Sequence, residues 1–196
     1  MPVRSRHTET ARPACCGIIE FPMLPNPKFA RIERVRRFLL NRFPGGAIST
    51  RATRISDRYI DGTMLRLREQ NEDGKPAIFK LTQKISAPNT GAQLGYITTM
   101  NLTREEFILL SQLLPAAQIT KTRHSIQPFG IDVFDGELQG LILAEAEFDS
   151  AEAANALELP PFTLREISTD PRFTGGALAR LSQDQKGDFL SEHGIA

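Results

Sequence analysis

Cysteine is nearly absent: Cys15 and Cys16 are the two in the chain, and they are adjacent. That is neither a disulfide framework nor a C-x-x-C zinc or redox signature, so two free thiols in a reducing cytoplasm are expected. Long apolar runs are missing too. None approaches the ~20 residues of a membrane-spanning helix. The apolar stretch at 14–21 is broken by Glu20, which argues against a secretory signal. Charge of one sign is not in excess. The 24 Lys and Arg face 23 Asp and Glu, a formal net charge of +1, so there is no global basic field and no reason to expect a specific nucleic acid or a membrane as partner.

Familiar catalytic signatures are lacking as well. His7, His124 and His193 are scattered, and no Ser-His-Asp arrangement is evident. Pro44-Gly45-Gly46 and Gly175-Gly176 lack the surrounding G-x-x-x-x-G-K-[ST] of a phosphate loop and read as turns or helix boundaries. There is no internal repeat, no low-complexity segment and no β-α-β alternation.

What is present is a series of short strand-like segments. They fall at 29–38, 50–59, 63–68, 77–84, 94–102, 119–127, 130–134, 141–148 and 164–169, with turn chemistry such as Asn71-Glu72-Asp73-Gly74 between them. One clear helix follows Thr103. Glu106 stands three residues on as its capping-box partner, Phe107, Leu110, Leu113 and Leu114 form its stripe, and Pro115 ends it. Shorter helical stretches are expected at 150–157, capped by Ser150, and at 176–183. Residues 1–28 read as a mobile leader or an over-extended start, 29–185 as a single domain, and 186–196 as a tail, frayed from 187. Many antiparallel strands with a few inserted helices predict a sandwich or barrel, α+β and mainly antiparallel β.

Alternate residues of a strand face opposite sides. Arg66 and Arg68 are therefore in phase against Leu65 and Leu67. Lys80, Thr82 and Lys84 oppose Phe79 and Leu81. Lys121 and Arg123 share a face, as do Glu145 and Glu147. The plainer reading is that each charged face meets water. The other is a closed barrel with these faces turned inward around a polyanion. Two features favour the second: basic pairs and the acidic pair sort onto separate strands, and Glu145 and Glu147 repel each other unless a cation lies between them.

Six segments in order then resemble the CYTH domain of the triphosphate tunnel metalloenzymes. Ile32-Glu33-Arg34-Val35-Arg36-Arg37-Phe38-Leu39 resembles its E-x-E-x-K start, and Tyr59-Ile60-Asp61-Gly62-Thr63, running on to Leu65-Arg66-Leu67-Arg68, resembles its Y-x-D-T-x-x-x-L-R-x-R segment. Leu81-Thr82-Gln83-Lys84 is similar to its L-T-x-K strand, Lys121-Thr122-Arg123 to K-x-R, Glu145-Ala146-Glu147 to the late E-x-E, and Glu166-Ile167-Ser168-Thr169-Asp170 to the closing E-V-T-x-D. The resemblance covers about 29–179. It implies a closed eight-stranded antiparallel tunnel barrel with helices packed outside, and hydrolysis of inorganic triphosphate, polyphosphate or an organic triphosphate with Mg2+ or Mn2+. It also implies that Glu33, Glu145 and Glu147 bind metal, that Arg37, Arg66, Arg68, Lys80, Lys84, Lys121 and Arg123 bind phosphates, and that Lys84 helps orient or deprotonate the attacking water. Val35 departs from the pattern by replacing the second glutamate. The strand expected to read R-x-E-x-E falls at Ile97-Thr98-Thr99-Met100-Asn101 with no charge. The alternative is accordingly a catalytically weakened module that binds polyphosphate or a nucleotide.

Overall fold

Nine strands and four α-helices make up the structure, a computed structural model that describes residues 29–46, 49–86, 93–113 and 115–195. The leader expected at 1–28 lies outside the described residues. The strands are β1 (Arg31–Leu40), β2 (Arg51–Ile60), β3 (Leu65–Asn71), β4 (Ile78–Ser86), β5 (Gln93–Leu102), β6 (Ala116–Ile126), β7 (Phe129–Phe134), β8 (Ile142–Glu147) and β9 (Thr163–Glu166). The helices are α1 (Arg104–Leu113), α2 (Ala151–Ala156), α3 (Gly175–Arg180) and α4 (Gln183–Glu192).

Every strand pairing is antiparallel, in the order β5-β4-β3-β2-β6-β7-β8-β1, and β5 pairs back onto β1. Eight strands thus close into a barrel, as the sequence predicts. The ninth completes one edge. The first half of β1 pairs with β5 through Arg31 to Val35; beyond the start of β5, its second half pairs with β9 through Phe38 to Leu40. No long edge of β1 is left open to pair with another chain.

Two apolar clusters hold this arrangement. Inward-facing Leu39, Ile119, Phe134 and Leu143 meet Phe173, Leu178, Ala179 and Phe189 from the C-terminal segment. These helices close one end of the barrel over an apolar plug. Phe38, Leu40, Phe129, Ile131, Ala144 and Ala146 form a second cluster on the outer face, against Leu157 and Phe162 after α2. A fully buried Leu or Phe contributes about 2 kcal/mol each, which suits the complete burial of Phe38, Leu39 and Leu178.

Helix ends follow the local chemistry. Glu106 N–H donates to Thr103 Oγ1 at 3.2 Å, and Thr103 N–H donates to Glu106 at 2.7 Å. Ser150 accepts from Ala153 N–H at 3.1 Å. The C-terminus departs from expectation. The stretch read as one helix at 176–183 ends at Arg180, and Ser182 then caps a second helix in a reciprocal box with Gln185. Residues expected to fray from 187 are helical to Glu192, because Phe189 and His193 are buried against Phe173. Tertiary burial outweighs the low helix propensity of Gly187.

Candidate functional site

Register carries one face of the sheet around the barrel. Lys80 and Thr82 on β4 stand opposite Arg68 and Arg66 on β3, which stand opposite Asp57 and Tyr59 on β2. Ile55 and Thr53 lie opposite Lys121 and Arg123 on β6, and Arg123 lies opposite Asp132 on β7. Gly130 faces Glu145 on β8, and Glu145 and Glu147 face Arg37 and Val35 on β1. Glu33 faces Gly95, and Lys84, Thr82 and Lys80 face Ile97, Thr99 and Asn101 on β5, closing the circuit.

This face is the concave one. Lys84 reaches over β5 to pair with Glu33, and Arg123 reaches over β7 to pair with Glu145. The second reach depends on Gly130, where an added Cβ would lie 3.2 Å from the Arg123 side chain. All ten residues singled out from the sequence, seven basic and three acidic, share this face. So does Val35, directly opposite Glu147 and 3% exposed.

The sequence reading missed two buried acids that organise the cations. Asp57 is 0% exposed and takes Arg68 Nε and Nη2 at 2.6 and 2.7 Å, with Arg66 Nε at 3.6 Å. Asp132 is 1% exposed and takes Lys121 Nζ at 2.5 Å and Arg123 Nε and Nη2 at 2.6 Å each. A legible signal existed for Asp132. Phe129 and Ile126 pair at the start of the β6–β7 hairpin, so counting outwards brings position 132 against 123.

Burial works against charge on Asp57, but Arg68 and then Arg66 overcome it and hold the carboxyl down to about 2. The same contest keeps Glu145 well below the usual carboxylate range, with Arg123 and Arg37 as the winning charges. Burial pulls the Lys121 ammonium below its ordinary value despite Asp132. Lys80 is lowered by burial and by the neighbouring Arg68, Arg66 and Arg51. The face is thus a network of cations, each strongly bound acid serving two of them.

The three carboxylates expected to hold a metal lie on neighbouring strands, with Glu33 and Glu147 flanking Val35. Their oxygens are the hard donors that Mg2+ and Mn2+ prefer. Each is engaged, however: Glu33 by Lys84, Glu145 by Arg37 at 2.7 Å and by Arg123, and the half-exposed Glu147 by Arg31 at 3.5 Å. Among the described residues no three His, Cys, Asp or Glu converge on a cation site. The donor chemistry therefore fits a divalent ion, but holding one requires these carboxylates to exchange their cationic partners.

No protein-family profile matches this chain. An inorganic triphosphatase of Nitrosomonas europaea is 31% identical over 156 residues, spanning 75% of this chain and 96% of that protein. Two crystal structures superpose with a TM-score of 0.52 at 27% identity. One, described as an inorganic triphosphatase, is matched over 95% of its length, and the other, described as a hypothetical protein, over 99%; each spans 76% of this chain.

Proposed function

The chain belongs to the CYTH triphosphate tunnel family, and from that membership we propose that it is a hydrolase of triphosphates, cleaving the terminal phosphoryl group of inorganic triphosphate, polyphosphate or an organic triphosphate. The observation that carries this reading is the unbroken register of Arg37, Arg66, Arg68, Lys80, Lys84, Lys121 and Arg123 on one concave face. A polyphosphate presents oxygens in a row. Guanidinium groups bind such oxygens by bidentate, charge-assisted hydrogen bonds, and ammonium groups as point charges.

In this reading Asp57 and Asp132 hold their arginines pre-aimed, so little reorganisation accompanies binding. Phosphoryl transfer asks mainly for positioning and charge stabilisation, which a ring of fixed cations supplies. Lys84 lies beside Glu33 and is the residue proposed to orient the attacking water and handle its proton. Glu33, Glu145 and Glu147 would hold Mg2+ or Mn2+ once incoming phosphate oxygens draw Lys84, Arg37, Arg123 and Arg31 away from them. The ion would neutralise charge on the phosphate oxygens and polarise the phosphoryl group. The apolar plug at one end of the barrel leaves a charged half for the substrate.

A second reading, polyphosphate or nucleotide capture without turnover, rests on a specific feature. Val35 stands where the family carries a second glutamate, and the inward positions of β5 are Ile97, Thr99 and Asn101, all neutral. The deciding assay is phosphate release from tripolyphosphate, ATP and thiamine triphosphate, with and without Mg2+ or Mn2+. Release supports the hydrolase. Thermal stabilisation by tripolyphosphate without release supports the binding module. Neither effect, from folded protein, refutes both.

A further inference from the structure

The inward face of β5 lacks charge but not hydrogen-bonding capacity. Thr99 stands directly opposite Thr82 on β4, and their hydroxyl oxygens are 3.1 Å apart. The two differ in their surroundings. Thr82 is 1% exposed, whereas Thr99 is exposed on the concave face. Arg66 lies opposite Thr82 on its other side and brings Nη2 to 3.5 Å from the Thr82 oxygen.

These three groups fix a direction of donation. A guanidinium has protons to give and no lone pair to accept with, so Thr82 Oγ1 accepts from Arg66. The Thr82 proton is buried and needs an acceptor of its own. Among the described residues, the Thr99 oxygen is the acceptor within reach. Thr82 therefore donates to Thr99, and the chain runs from Arg66 through Thr82 to Thr99. At its end the Thr99 proton has no acceptor among the described residues. Lys80 and Lys84 flank Thr99 diagonally on the same face, since they stand opposite Asn101 and Ile97.

We propose that Thr99 is a phosphate-binding residue of the concave face, its hydroxyl turned away from Thr82 into the barrel so that it donates to a phosphate oxygen of the bound polyphosphate without an intervening metal. The inference rests on the polyphosphate reading above and gives β5 a role that its lack of charge conceals. A carboxylate at this position would only accept, and would meet a phosphate oxygen across a cation. A hydroxyl whose oxygen is already occupied donates, and meets the phosphate directly. Lys80 and Lys84 supply the charge that draws the polyanion in. Thr99 adds a directed bond, and desolvating a hydroxyl costs less than desolvating a further cation.

Calorimetric binding of tripolyphosphate, in EDTA and again in Mn2+, tests this together with thermal unfolding of the free protein. Thr99→Val keeps the branched shape and removes the hydroxyl. Its Kd is expected to rise about tenfold, the loss of one hydrogen bond to a charged acceptor, and equally in both buffers. Its melting midpoint is expected to fall by about 5 °C, because the Thr82 proton loses its acceptor. Thr99→Ser keeps the donor and is expected to bind as the wild type does. Thr82→Val combined with Thr99→Val replaces both hydroxyls by apolar groups of the same shape. It is expected to regain the midpoint while its affinity stays low. A wild-type Kd in Thr99→Val or in the double variant would make Thr99 no more than a structural partner of Thr82 and overturn the proposal. So would a Thr99→Ser protein that binds as weakly as Thr99→Val. A loss of affinity confined to Mn2+ would overturn it too, by placing a metal between hydroxyl and phosphate. If the wild type binds tripolyphosphate in neither buffer, the polyphosphate reading itself fails, and the proposal with it.

Discussion

Asp132 and Arg123 stand directly opposite each other on β7 and β6, and two parallel hydrogen bonds of 2.6 Å join carboxylate to guanidinium with the acid 1% exposed. Lys121 shares the same carboxylate at 2.5 Å. One buried acid thus pairs with two cations, the buried Lys121 and the partly buried Arg123. Asp132→Asn would leave both under-compensated in a low-dielectric site and is expected to cost about 3 kcal/mol of stability. Urea unfolding at pH 7 measures this. A loss below about 1 kcal/mol would mean the network is solvated in solution.

Stability should fall in acid, with a sign set by the buried carboxylates. Asp57 titrates at about 2 when folded against an ordinary 3.8, so the folded state favours its charged form. The stabilisation, about 2 kcal/mol, is present above pH 4 and lost as pH falls towards 2. Glu145 and Asp132 are lowered too and act in the same direction. Denaturation midpoints measured from pH 6 to 2 should show the decline, and Asp57→Asn should flatten it. A wild-type midpoint that does not change over this range would contradict the pairing.

Val35→Glu places a carboxylate at a buried position directly against the half-exposed Glu147. Like charges opposed across a strand pair destabilise, so the melting temperature of the variant should drop in EDTA. Mn2+ should restore it by more than it stabilises the wild type, since a ligand at 100 times its Kd adds about 2.7 kcal/mol. Equal Mn2+ shifts in the two proteins would show that position 35 does not meet a metal.

Lys84→Met removes the cation paired with Glu33, a carboxylate that is 7% exposed. Both stability and phosphate release should fall, the latter at least tenfold if Lys84 handles the water and its proton. Adding Glu33→Gln removes the stranded charge and should recover stability without recovering activity. Recovery of activity in the double variant would reduce Lys84 to a counter-ion.

Much of this was readable in the chain itself. Strand positions and faces followed from period two, because a half-buried strand must alternate. The Arg66/Arg68, Lys80/Lys84 and Lys121/Arg123 pairs are in phase in the sequence and share a face in the fold. The caps at Thr103 and Ser150 were equally local, since each rests on contacts three residues apart.

What pairs with what was not local. Glu145 and Glu147 look alike in the sequence, yet the first is clamped by Arg37 and Arg123 while the second lies half exposed beside Arg31. Asp57 gave little sign of its weight, because a lone acid in a strand gains its meaning from the strand it faces, whereas Asp132 is placed against Arg123 by counting out from the β6–β7 hairpin. The C-terminal helix formed where fraying was expected because Phe189 found a core built by β1, β6, β7, β8 and α3. The amino-acid sequence by itself determined the strands, the shared phase of their charged residues and the supply of cations, all of which follow from neighbours along the chain. The tertiary structure alone decided how those charges are partnered, and therefore which of them are left for a ligand, because partnership depends on register between strands far apart in sequence.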